Sequence, residues 1–140
     1  MAAIKITTKQ IDVKTGEELE ESYEYDGRVQ RREDTVYCIY TSIDPDNKIK
    51  NSNIIKYKDG NMTRICKGET TSTMNFIPGV ETTTNYVTIY GTFPLRFMTN
   101  HLECKFNENE ITIEVQYLLN ISGEPQSQCT MFIHMSGEIE

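Results

Sequence analysis

The sequence predicts an all-β fold, a single antiparallel barrel. Three observations point there. Turn signals recur roughly every 8 to 16 residues. The segments between them alternate apolar and polar side chains, as half-buried strands do. No window carries a convincing 3.6-residue apolar period. About eight to ten strands are expected, and that many edges call for closure or tight sheet pairing.

The turn signals are Thr15-Gly16, Asp26-Gly27, Asp44-Pro45-Asp46-Asn47, Asp59-Gly60, Pro78-Gly79, Asn107-Glu108-Asn109 and Ser122-Gly123. Asp-Gly between alternating runs predicts a hairpin, because both residues accept positive φ. Pro78-Gly79 suits a type II turn. The first strand shifts phase between Ile6 and Ile11, which predicts a β-bulge. The acidic stretch Glu17 to Glu24 alternates Leu19, Tyr23 and Tyr25 against Glu18, Glu20, Ser22 and Glu24, so it reads as strand. From Ile111 to Ile121, one face carries Ile111, Ile113, Val115, Tyr117, Leu119 and Ile121. The last strand presents Cys129, Met131, Ile133 and Met135 on one face. Met1 to Ala3 and Glu138 to Glu140 are expected to fray.

The 140 residues fit one domain, residues 1–140, large enough to bury a core. Charged residues at 25% and hydrophobic residues at 37% describe a globular chain. No apolar run approaches the roughly 20 residues of a spanning helix, and the N-terminus lacks a signal-peptide core. A cytoplasmic location is expected. The net charge of −7 argues against nucleic acid and anionic membrane as partners. Monomer and homodimer both remain open.

Cys38, Cys66, Cys104 and Cys129 form no CxxC pair or Cys-His cluster, so no metal site is expected. Each lies in a strand-like run and reads as a reduced, small buried hydrophobe. No phosphate loop, zincin motif or nucleophile elbow is present, and no cofactor is expected. His101 and His134 lack any local catalytic signature.

The stretch from Phe76 to Thr99 carries the pattern Phe76-x-x-Gly79, Tyr86-x-Thr88-x-Tyr90-Gly91, Phe93-x-Leu95 and Thr99. It resembles the YwiB-like family of small bacterial proteins. That resemblance implies a calycin-like, lipocalin-type barrel, in a family of unknown function. An arginine often stands two residues before the family's glycine, here Gly68. In this chain Cys66 occupies that place, and Arg64 lies two positions earlier on the same strand face.

The candidate site consists of polar residues on faces that look internal. Glu21 shares a face with Leu19, Tyr23 and Tyr25, and burial there would raise its pKa unless a cation were near. Arg64, between Met62 and Cys66, is the candidate cation. Tyr86, Thr88 and Tyr90 add hydroxyls on one face. Together they suggest an apolar pocket with a few convergent polar groups. The structural alternative is a Glu-Arg pair closing one barrel end, with tyrosines suited to the pleat. Arg28, Arg31 and Arg32 read as cross-strand partners of the acidic strand across the Asp26-Gly27 turn.

The leading functional reading is binding of a small apolar or aromatic molecule bearing an anionic group, inside the barrel. One alternative is a cofactor-independent enzyme, decarboxylase-like, using Tyr, Arg and Glu side chains; the warrant is fold-level analogy. The other is a filled barrel acting through its surface as a protein-interaction module.

Overall fold

A computed structural model describes residues 1–43 and 48–140. The expected turn at Asp44-Pro45-Asp46-Asn47 lies outside the described residues. The described residues form ten strands and no helix. These are β1 (Ala2–Asp12), β2 (Glu18–Arg32), β3 (Thr35–Ile43), β4 (Lys50–Lys58), β5 (Asn61–Lys67), β6 (Ser72–Phe76), β7 (Glu81–Thr88), β8 (Gly91–Asn107), β9 (Glu110–Ile121) and β10 (Glu124–Gly137).

All ten strands belong to one antiparallel sheet in the order β6-β5-β4-β3-β2-β1-β10-β9-β8-β7. The sheet curls until its two edge strands meet. Thr71 and Val87 exchange backbone hydrogen bonds of 2.9 and 3.0 Å there, and the Thr82 hydroxyl donates to the Asn75 carbonyl. The result is a nearly closed barrel, which leaves few backbone groups at an open edge.

Strand alternation places the core. Ile4 and Ile6 of β1, Val36, Cys38 and Tyr40 of β3, Ile111 to Tyr117 at odd positions of β9, and Cys129 to Met135 at odd positions of β10 point inward and are buried. Phe76, Phe97 and Tyr117 pack their rings with centroids 5.0 to 5.7 Å apart, within the favourable range for aromatic pairs.

The barrel is filled at one end and open at the other. At the end carrying the β2–β3, β4–β5, β6–β7 and β8–β9 turns, the inward residues Val36, Met62, Phe76 and Ile111 are fully buried. At the end carrying the β1–β2, β5–β6 and β7–β8 turns, inward-phase residues remain exposed: Leu19 at 53%, Tyr23 at 54% and Phe93 at 41%. The cause lies partly in the pairing. β2 pairs with β3 only over Gly27 to Arg32, so its first half rests on β1 alone.

Several local expectations are corrected. Asp26-Gly27 is no turn. Gly27 sits inside β2, opposite Ala2 and Tyr40, where a Cβ would lie 2.5 Å from the Ile39 carbonyl oxygen and 2.6 Å from Ile4 Cδ1. Glycine is there for close approach, and the chain reverses instead after Arg32, with Glu33 at φ 56°. The arginine cluster therefore cannot fold back onto the acidic stretch. Arg28 pairs with Glu140 at 3.5 Å, Arg31 pairs with Asp34 at 3.9 Å, and Arg31 stacks over Phe106 at 4.0 Å. β1 carries no bulge; its register with β2 and β10 is continuous. Register shifts occur in β8 between Thr99 and His101, and in β10 between Pro125 and Ser127. The termini are tied down as well. Ala2 is buried between Gly27 and Gly137, and Glu140 exchanges backbone hydrogen bonds with the strand at Val29 and Arg31.

Candidate functional site

The register of β5 sets the site. Arg64 faces inward between Met62 and Cys66, opposite Ile55 of β4 and Met74 of β6. Its Nη2 donates to the Tyr40 hydroxyl at 3.1 Å, and its Nη1 lies 3.7 Å from the Met131 sulfur across the barrel. No salt bridge joins Arg64 to a carboxylate among the described residues. Its electrostatic neighbours are the phenols of Tyr40, Tyr117 and Tyr25. Burial works against the charge, yet these oxygens hold the guanidinium on its protonated side. Tyr25 stacks on Tyr40, with centroids 4.5 Å apart and planes 26° from parallel.

Tyr117 and Tyr25 stay neutral. Burial raises the Tyr117 and Tyr25 hydroxyls above the ordinary tyrosine range. A neutral hydroxyl can share a hydrogen bond with a guanidinium but cannot cancel its charge. Arg64 is part-buried, and drawing an ion out of water without a counter-ion is unfavourable.

Arg64 borders a cavity of about 140 Å³ at the open end of the barrel. Asn53, Cys66, Thr70 and Ser72 supply the rest of its polar lining, and Met74 and Tyr86 its apolar side. Asn53 is held by its side-chain amide, which donates to Ser42 Oγ at 2.9 Å and to the Asn51 carbonyl at 3.2 Å. The Asn51 side-chain oxygen accepts from the Thr70 backbone N–H at 3.3 Å. Gly68 makes that bracing possible, because a Cβ there would overlap the Asn51 side chain and backbone. Burial raises the Cys66 thiol, while Arg64 pulls it down.

Of the five candidate residues, Arg64 and Tyr86 meet at this cavity. Thr88 and Tyr90 do not reach it. The Thr88 hydroxyl accepts from the Tyr90 backbone N–H and donates to the Gly91 carbonyl, each at 3.1 Å, which fastens the β7–β8 turn. Tyr90 is 86% exposed at that turn. Glu21 lies opposite Thr8 on the exposed half of β2, away from Arg64. Sequence reasoning missed Asn53, Ser72 and Tyr40 as companions of Arg64. Their inward phase was readable strand by strand, but which inward residues meet depends on how the strands stagger around the barrel.

A larger cleft of about 410 Å³ runs along the β2, β1 and β10 wall beside Lys5, Glu24 and His134. It is open to solvent, and Lys5 sits opposite both Glu24 and His134 in the ladders. Among the described residues, His101, Glu103 and Glu114 could offer three ligand atoms to a cation. They stand on the outer wall, where His101 is 3.5 and 3.6 Å from the two carboxylates and Lys105 pairs with Glu103 at 3.8 Å. No described helix is long and apolar enough to cross a membrane.

The crystal structure of the ywiB protein from Bacillus subtilis superposes with a TM-score of 0.80 at 19% identity, covering 97% of this chain and 92% of that one. At that identity the likeness concerns the barrel itself. No curated protein sequence matches the chain. The family model for a domain of unknown function, DUF1934, matches residues 4–133. With nearly every strand inside that match, this chain belongs to the DUF1934 family.

Proposed function

We propose that this barrel binds a small molecule and that Arg64 holds the ligand's anionic group. The observation that carries this reading is the Arg64 guanidinium, drawn into the barrel with phenols and a thioether around it and no carboxylate among the described residues. A filled structural core gains nothing from such a charge, and a well-packed apolar replacement is often neutral or stabilising. A cavity beside the charge gives an incoming anion a charge-assisted hydrogen bond in a low-dielectric setting, where it is strongest. Apolar or aromatic surface on the ligand would meet Tyr86 and Met74.

The decarboxylase-like alternative calls for a glutamate among Tyr and Arg side chains, and the candidate, Glu21, stands outside the cavity. Binding is therefore the reading favoured here. Native mass spectrometry of protein purified gently from its own host tests it. A mass excess that leaves on denaturation, and that is absent from Arg64→Met, is the expected result. A bare chain mass together with no measurable anion binding would turn the reading towards a barrel acting through its surface.

A further inference from the structure

Resting on that reading, we propose that the ligand is a single-headed amphiphile: a monoanion whose head alone enters the cavity and whose uncharged alkyl chain lies in the open mouth. Three observations carry this. First, the cavity of about 140 Å³ is smaller than the roughly 300 to 1,000 Å³ of pockets that enclose a drug-sized ligand. It is sized for a head group rather than for a whole ligand.

Second, apolar surface continues from the cavity to the mouth along two walls. On one wall Tyr86, which lines the cavity, is paired with Phe93. On the other, Tyr40 receives the Arg64 hydrogen bond, Tyr25 stacks on Tyr40, and Tyr23 follows on the same face of β2. Tyr23 at 54% and Phe93 at 41% are exposed although both are in inward phase. At the opposite end the inward residues Val36, Met62, Phe76 and Ile111 are buried.

Third, the cavity lining carries a single charge. Arg64 is the cation, and Asn53, Thr70, Ser72 and Tyr86 beside it are uncharged polar groups. One cation matches one anionic head, and a second negative charge would find no partner in the lining.

The test is calorimetric titration of the whole protein with straight-chain monocarboxylates from acetate to decanoate, each below its micelle concentration, with succinate as the dianion. Each methylene that leaves water is expected to tighten binding about fourfold. Succinate is expected to bind no better than acetate. Arg64→Met should weaken every member of the series. Phe93→Ser and Tyr23→Ser should flatten the chain-length dependence. Equal affinity along the series in the wild-type protein would overturn the amphiphile while leaving an anion site at Arg64. Absence of binding by every carboxylate would overturn both. The wild-type series needs no variant to fold, so each outcome decides.

Discussion

Arg64 donates a 3.1 Å hydrogen bond to the hydroxyl of Tyr40, and that phenol stands where an inward-facing arginine ordinarily has a carboxylate. The relationship separates function from stability. A residue kept only for packing would lose stability on replacement. A residue kept for an absent partner should cost the empty protein free energy.

Arg64→Met is therefore expected to leave stability unchanged or raise it by about 1 kcal/mol, because a flexible apolar chain replaces an uncompensated charge. Urea denaturation of the ligand-free protein measures this. A loss of 2 kcal/mol or more, about the scale of a broken buried hydrogen bond to a charged group, would make Arg64 a structural strut.

Thr99 offers a cleaner test of core chemistry. It is fully buried, and its hydroxyl is the one buried side-chain polar atom without a hydrogen-bond partner among the described residues. Thr99→Val removes the unsatisfied group at nearly constant shape and should stabilise the fold by about 1 kcal/mol. The midpoint of urea unfolding should rise with an unchanged slope. A destabilised Thr99→Val would point to an ordered water on that hydroxyl.

Gly27 is predicted to be intolerant for a reason unrelated to turns. Adding a methyl group would drive it into the Ile39 carbonyl and the Ile4 side chain. Gly27→Ala should cost about 1 to 3 kcal/mol, the usual range for overpacking. Gly16→Ala is the comparison, since nothing lies within 4 Å of a Cβ there; its positive φ of 73° gives a smaller loss of about 1 kcal/mol. Equal losses at the two sites would contradict the close-approach argument.

The thiols make stability depend on alkaline pH. Burial pushes Cys38 up to about 12 and Cys104 and Cys129 up to about 11. In the unfolded chain these groups ionise near 8.5. Between those values the unfolded state has lost protons that the folded state keeps, so stability falls as pH rises. The contribution is intact at pH 7 and is lost progressively from about pH 9 towards pH 11 to 12. Unfolding free energies measured across that interval should decline more steeply for the wild type than for Cys38→Ala/Cys129→Ala. Thiol labelling at pH 8 should be slow at the buried Cys38 and Cys129 until denaturant opens the barrel.

Much of this protein was legible without coordinates. The alternating face from Ile111 to Ile121 and that from Cys129 to Met135 are buried at the positions the period of two assigns. Arg64 and Cys66 share the inward face because residues two apart in a strand must. The face of Glu21 was also readable, since Tyr25 on that face turns inward. What failed for Glu21 was exposure. β3 leaves β2 at Gly27, and no local pattern reports where a neighbouring strand stops.

Gly27 failed for the complementary reason. Asp-Gly is a sound local turn signal, but a glycine demanded by a close neighbour in space carries the same letter. The ends of the chain behaved likewise. Ala2 and Ile139 fall in end segments that read as frayed in the linear sequence, yet the barrel pairs them with Gly137 and Val29.

The all-β class, about ten strands and the inward phase of Arg64 follow from a two-residue period and local turn chemistry. Which inward residues meet was set by the packing of the barrel. It put Tyr40, Asn53, Ser72 and Tyr86 around Arg64, left Glu21, Thr88 and Tyr90 outside, and closed one end of the barrel while leaving the other open. Those outcomes depend on the stagger between strands far apart in the chain, and stagger is set by the packing of the whole sheet.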